Sequence, residues 1–316
     1  MIEEIANEVM IAGQTASLLE VSAYPKPGNV HRTRDFSDMR YEHFLVGSAS
    51  LGPVLRGAAM EGARGKVELG KYIKKGIFDV DKHHLVGNTH LGTCMLLIPL
   101  AAAGGKTIAQ KRIGPRALRG NLISILSSTT SQDSVDVYDA IMCGKNWLGN
   151  SGAFDVFDRS TRARLREEGI ALKEWMAISD WDAVARELTT GMEISFGTGY
   201  PFLKKNFEKY GDINVATVHA YLKILSEIPD SFIARKVGLK RTSAIDEAVK
   251  IGKEETEWVS EEARSILELG GLTTEEGKKK LYQFDETMHK KGLNPGTTAD
   301  LTASSLMIAL LLGLRF

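Results

Sequence analysis

The residues best suited to chemistry fall in four short polar stretches: Pro25–Asp38, Asn88–His90, Asp230–Lys236 and Asn294–Asp300. In the first, Pro25-Lys26-Pro27-Gly28-Asn29-Val30-His31 runs on through Arg34 and Asp35 to Asp38-Met39. Pro25 and Pro27 fix φ, lack a donor and push each preceding residue out of the helical region, which holds Lys26 in stiff, extended backbone. Gly28 is free to turn sharply or to let a ligand reach the main chain. Such loops are ordinarily plain connections between helices; a cation, an amide, an imidazole and two acids within a dozen residues set this one apart. Asn88, Thr89 and His90 stand at the mouth of a strongly apolar segment, where polar groups need partners. Asp230 precedes Arg235 and Lys236, and Pro295-Gly296 precede Asp300. Acids and free amides gathered at helix ends suit a magnesium-bound polyphosphate, because magnesium takes oxygen ligands shared with substrate phosphates and helix N-termini attract anions. By themselves, these residues point to a nucleotide or phosphate site.

The elements that must position them read as helices throughout. Ile2, Ile5, Val9, Ala12, Ala16 and Leu19 form an amphipathic stripe that must stop by Tyr24. Glu20 lies in its last turn, where the helix dipole disfavours an acid, so it is read as held for a purpose such as a metal. Ser37 or Asp38 is an N-cap for a helix through Tyr41, Phe44, Leu45, Ser48, Leu51 and Leu55, with Pro53 as a kink. Asn88 or Thr89 caps a helix that is apolar nearly all round, which predicts burial at the centre of the molecule. Gly104-Gly105-Lys106-Thr107 imitates the end of a phosphate-binding loop, but position 100 is Leu and no strand precedes it, so it reads as a helix C-terminus. Helices are expected over 115–127, 134–143, 159–168, 172–177, 181–188, 214–227, 242–269, 274–290 and 301–314, with a Gly/Pro loop over 194–201. No strand-type alternation and no repeat appears. The expected fold is all-α: one compact domain over 1–316, about a dozen helices around a buried central one.

Composition narrows the function classes. The 316 residues carry 40 basic and 40 acidic side chains, so no global field favours nucleic acid or an anionic membrane. Cys94 and Cys143 lack the spacing of a disulfide framework or a structural zinc site and read as small core residues. Cys94–Ala103 and Leu301–Leu314 fall short of the roughly 20 apolar residues that span a bilayer. The acidic, periodic start Met1-Ile2-Glu3-Glu4-Ile5 does not read as a signal peptide. A cytoplasmic protein with neither nucleic-acid nor membrane partner is expected.

Taken together, the motifs resemble those of the triphosphoribosyl-dephospho-CoA synthase family, which makes the prosthetic-group precursor of citrate lyase and malonate decarboxylase. The family's Glu-Val, Pro-Lys-Pro-Gly and Asp-Met are matched by Glu20-Val21, Pro25–Gly28 and Asp38-Met39. Its Asn-Thr-His-x-Gly is matched by Asn88–Gly92, its Gly-Phe-Pro is echoed by Gly199-Tyr200-Pro201, and its Pro-Gly-x-x-Ala-Asp-Leu is matched by Pro295–Leu301. Leu91 stands where the family has Lys, Asp230-Ser231-Phe232 loses an Asn, and Asp35-Phe36-Ser37 replaces Gly-Ala-His, marking a divergent member. The resemblance implies transfer of the triphosphoribosyl group of ATP to a hydroxyl of dephospho-CoA, with magnesium and release of adenine. It implies that Lys26, with Arg235 or Lys236, meets phosphate, and that Gly28, Asn29, His31, Asn88, Thr89, Pro295 and Gly296 contribute to the ATP site. Glu20, Asp38, Asp230 and Asp300 would serve magnesium or the ribosyl cation, and His90 or His31 would be the base or the leaving-group acid. Two other readings stand beside it: a related transferase or hydrolase using another acceptor, and a nucleotide-binding regulator without turnover. Homo-oligomerisation is left open.

Overall fold

The structure, a computed structural model, describes residues 1–36, 38–84, 86, 89–143, 158 and 160–316. Among these there are helices and connections but no strand; a single bridge pairs His31 with Arg34. The centre is the helix Leu91–Ala109, buried without interruption from Thr93 to Gly105. Around it pack Ile2–Ser22, Gly52–Arg64, Pro115–Ser127 and Gly296–Leu311. The first helix turns Ile5, Val9, Ala16 and Val21 inward, as its stripe predicts, and ends at Ser22, ahead of the prolines.

Glycines set how closely the central helices meet. A Cβ on Gly62 would lie 2.0 Å from the carbonyl oxygen of Ala102, and one on Gly105 would lie 2.1 Å from that of Ala59. The helices Gly52–Arg64 and Leu91–Ala109 therefore touch backbone to backbone. This corrects the expectation for Gly104–Thr107: the helix does not end there but runs on to Ala109, and Gly105 is a contact surface. With 19 residues, this helix is also long and apolar enough to cross a membrane, contrary to the sequence estimate. Its apolar surface is instead buried against other helices of this chain. Buried hydroxyls on the last helix return to its own backbone: Thr302 donates to the Thr298 carbonyl at 2.8 Å and Ser305 to that of Leu301 at 2.7 Å.

A second apolar cluster, including Tyr221, Leu225, Val259, Ile266, Leu281 and Phe284, joins the helices Ile213–Glu227, Glu257–Glu268 and Glu275–Lys290. The Tyr221 hydroxyl donates to the Pro27 carbonyl at 3.0 Å and so fastens the proline loop to this cluster. Three expected boundaries differ. The helix from Tyr41 stops at Ser50, and Pro53 opens a new one in its first turn rather than kinking the old. The long charged helix over 242–269 divides at Thr256. The expected loop over 194–201 is a π-helical turn, Ser195–Gly199, leading into Tyr200–Tyr210. The buried carboxylate of Glu187 caps its start, accepting from the amides of Ile194 at 2.7 Å and Ser195 at 2.9 Å.

Candidate active site

The helix ends enclose a cavity of about 730 Å³. The last turn of the first helix supplies Glu20, and the proline loop supplies Asn29 and, further on, Asp38. The approach to the central helix brings Thr89 and His90, and its first turn brings Gly92 and Thr93. The short helix Ser231–Gly238 contributes Phe232, Arg235 and Lys236, and the last helix contributes Gly296, Thr297 and Asp300. Three helix N-termini thus border one space, each with the positive end of its dipole, although the amides of Ile233, Gly296 and Thr298 are already bonded. All four polar stretches singled out in the sequence reach this space. Asn88 lies outside the described residues.

Asp300 is a strongly perturbed acid in the cavity. Its Oδ1 accepts from the Thr93 hydroxyl at 2.7 Å. Burial, with the charges of Glu20, Asp230 and Asp182 added, pushes its pKa up to about 8. Room for its carboxylate depends on Gly92, where a Cβ would fall 2.0 Å from Oδ2. That contact is a physical reason for glycine in Asn-Thr-His-x-Gly.

Lys26 does not present its ammonium to the cavity, which corrects the expectation of an exposed phosphate ligand. It is fully buried behind the wall. Its Nζ binds Glu20 Oε1 and donates to Asn29 Oδ1 at 2.9 Å, while Asn29 Nδ2 donates to Asn294 Oδ1 at 2.9 Å. Burial raises the Glu20 pKa and lowers that of Lys26, and the attraction within the pair opposes both shifts. Lys26 is therefore the counter-charge that orients Glu20. The Tyr221–Pro27 bond explains why the stiff loop points this lysine inward.

Four further expectations are corrected, since the residues do not line the cavity. Gly28 has φ +73° and donates to Asp285 Oδ1 at 3.0 Å; a Cβ on it would meet the Leu293 carbonyl oxygen at 2.3 Å. His31 turns to the same carboxylate, 3.4 Å from Oδ2. Asp230 is consumed as a cap: Oδ1 accepts from the Ile233 amide at 2.9 Å, and Oδ2 accepts from the Thr298 amide at 2.7 Å and hydroxyl at 2.8 Å. Burial raises its pKa to about 6. Pro295 is the N-cap residue of the last helix. Asp38, read as a cap, is not one: Arg40 holds that position, and the Tyr41 amide donates to Asp35 Oδ1 at 2.8 Å.

His90 lines the cavity but is a weak proton acceptor. Burial, chiefly, lowers its pKa to about 3. Its Nδ1 is 2.7 Å from the Thr89 hydroxyl, itself 3.0 Å from His84 Nε2, and its ring covers Gly47, where a Cβ would fall 2.2 Å away. Arg235, by contrast, has no carboxylate within ion-pair reach among the described residues and stacks over Phe232 at 5.3 Å. Lys236 is exposed, with the Gly292 carbonyl at 3.4 Å.

Sequence reasoning missed Thr93, Asp182, Trp175 and Trp181, all on the cavity wall. Asp182 caps the helix Ala183–Thr190, accepting from the amides of Val184 at 2.9 Å and Ala185 at 3.1 Å. An acid just before an apolar run signals a cap; nothing local signals that it also faces a cavity.

Comparison with known proteins agrees with this arrangement. Over 320 aligned residues the chain is 26% identical to Protein CitXG of Leuconostoc mesenteroides subsp. cremoris, covering 97% of this chain and 60% of that protein. It is 27% identical over 123 residues to a protein of Pseudomonas fluorescens assigned provisionally as 2-(5''-triphosphoribosyl)-3'-dephosphocoenzyme-A synthase, covering 39% and 37%. The chain thus spans well under two thirds of the length of either relative. A crystal structure from Archaeoglobus fulgidus, provisionally a triphosphoribosyl-dephospho-CoA synthase, superposes with TM-score 0.61 at 28% identity, covering 86% of this chain and all of that one. The sequence pattern CitG, ATP:dephospho-CoA triphosphoribosyl transferase, matches residues 6–315. A match of that extent, in a chain whose polar helix ends meet at one cavity, places it in the CitG family.

Proposed function

We propose that this chain transfers the 5-triphosphoribosyl group of ATP to a hydroxyl of 3'-dephospho-CoA and releases adenine. The observation that carries this reading is the pairing, in one cavity, of desolvated carboxylates with Arg235, a cation with no carboxylate in ion-pair contact among the described residues. In the reaction the bond between ribose C1' and the adenine nitrogen breaks, and adenine leaves with the electron pair and takes up a proton. The acceptor oxygen bonds to C1' and loses its proton, and the triphosphate stays on the ribose. Substitution of this kind passes through an oxocarbenium-like transition state, as in glycoside cleavage.

Arg235, with Lys236 and the amide of Thr297, binds the triphosphate. Glu20, held in place by Lys26, faces the developing positive charge. Asp300, with a pKa near 8, can hold a proton at neutral pH or give it up. It therefore suits both halves of the exchange, donating to departing adenine and accepting from the attacking hydroxyl. Magnesium fits this donor set: Asp38 has no hydrogen-bond partner among the described residues, and Glu20 is bonded through Oε1 alone, which leaves oxygen donors of the kind magnesium prefers. Bound there by Glu20 and Asp38, it would neutralise triphosphate charge.

A second acceptor is favoured by one observation. Leu91 and Phe232, two positions where the motifs depart from the family pattern, both line this cavity. Incubation with ATP and magnesium, with and without dephospho-CoA, tests both readings by chromatography. Adenine released only with dephospho-CoA supports the first, and adenine released only with another hydroxyl acceptor supports the second. ADP or phosphate without adenine refutes both.

A further inference from the structure

Beneath the proline loop, away from the cavity, three side chains meet that the proposed reaction does not use. Asp285 and His289 lie one turn apart on the helix Glu275–Lys290, on the same face, and His31 comes down from the loop. One ligand atom from each residue lies within 4.8 Å of the other two. All three side chains are 10% exposed or less.

We propose that His31, Asp285 and His289 form a site for a divalent metal ion of the zinc class, which ties the loop to the C-terminal helices. The first argument is an orphan: His289 Nε2 is buried and makes no hydrogen bond, although it lies 3.3 Å from Asp285 Oδ1. The second is distance. His31 Nε2 stands 3.4 Å from Asp285 Oδ2. Charge-assisted N–H···O bonds run to about 2.7–2.9 Å. Ligand atoms held about 2.0–2.1 Å from a tetrahedral zinc ion are about 3.3 Å apart. Both contacts are longer than such bonds and near the second spacing, His289 through Oδ1 and His31 through Oδ2, so the carboxylate would face the ion with both oxygens.

The surroundings suit a bound ion. Asp285 Oδ1 also accepts from the Gly28 amide at 3.0 Å, which holds the carboxylate in place between the two imidazoles. The Thr33 hydroxyl lies 3.1 Å from His31 Nδ1 and the Thr33 amide donates to the same nitrogen at 3.4 Å, so Thr33 orients the ring from the side away from Asp285. Arg34 reaches Asp285 Oδ2 at 3.3 Å, but its charge is met by Glu286 at 2.5 Å, so it orients the carboxylate without adding net charge. The ring of Phe36 lies over His289 at 4.6 Å and that of Tyr24 against His31 at 5.4 Å, closing the sides with apolar surface. Two imidazoles and one carboxylate suit zinc, cobalt or nickel better than magnesium or calcium.

The test is binding to the full chain. Purified protein stripped with a chelator is titrated with Zn²⁺ and, separately, with Co²⁺, whose visible absorption reports nitrogen–oxygen coordination. One equivalent of each is expected, with a rise in Tm on adding zinc. His289→Gln should abolish the cobalt spectrum while circular dichroism stays helical. Thr33→Val, which keeps all three ligands, should weaken zinc about 10–100-fold. Stoichiometry well below one, or an unchanged cobalt spectrum in His289→Gln, overturns the site. Adenine release is not part of the readout, so failure here is separate from failure of the proposed reaction.

Discussion

Gly92→Ala separates stability from activity more sharply than any other single change. The added Cβ would sit 2.0 Å from Asp300 Oδ2 and 2.5 Å from Cγ, whereas real Cβ contacts essentially never fall below 3.0 Å. Asp300 must therefore retreat by at least 1.0 Å, the difference between those two distances. It is a side-chain end that gives way, so the backbone stays and the helix gains a better former than glycine, worth up to about 1 kcal/mol. Against that stands the hydrogen bond from Thr93, worth about 0.5–1.5 kcal/mol while Asp300 holds its proton and less if it only stretches. Stability should move by no more than about 2 kcal/mol in either direction. Activity should fall much further, because a misplacement of about 1 Å of a reacting group costs on the order of 100-fold. Urea denaturation measures the first quantity and the rate of adenine release the second. A variant releasing adenine within threefold of the wild-type rate would refute the role given to Asp300.

Three other outcomes follow from the same geometry. Lys26→Met leaves Glu20 buried without its counter-charge and should cost about 3–5 kcal/mol in urea denaturation, as broken buried pairs do; a loss below 1 kcal/mol would mean the pair is not formed. Asp300, at about 8 in the fold and about 3.9 when unfolded, binds its proton more tightly in the folded chain, so its contribution to stability is complete below pH 4 and lost as pH rises towards 8. In the absence of metal, Asp300→Asn should flatten that decline, and denaturation midpoints at pH 5 and pH 8 check it. Arg235→Met should weaken MgATP binding more than tenfold by calorimetry while Tm stays within a few degrees; unchanged affinity would remove Arg235 from the phosphate site.

Much of the fold was legible because three-four periodicity reports helices directly, and the polar helix ends report where amides lie free. The direction of a side chain was not. Lys26 has the composition of an anion ligand, and contacts far off in the sequence, such as the Tyr221–Pro27 bond across 194 positions, turn it inward. Asp230 reads equally well as catalyst or cap until Thr298 is seen to take its second oxygen. His289 and Asp285 were hidden in a helix dense with Lys and Glu, where an i, i+4 pair resembles any solvated face; what reveals them is a loop about 250 residues earlier in the chain.

The backbone contacts of Gly62 and Gly105 bear on how such a protein changes over time. Two of the acids at the cavity, Glu20 and Asp300, sit on the first and last helices, which both pack on that centre. The helix that carries Phe232 is held as closely on its other side: a Cβ on Gly238 would fall 1.7 Å from the Ala248 carbonyl oxygen, and one on Gly252 would fall 1.8 Å from that of Ala234. Backbones on both sides of the cavity are therefore fixed, and a change in what the wall accepts has to come from side chains such as Leu91 and Phe232 and not from a shift of the helices.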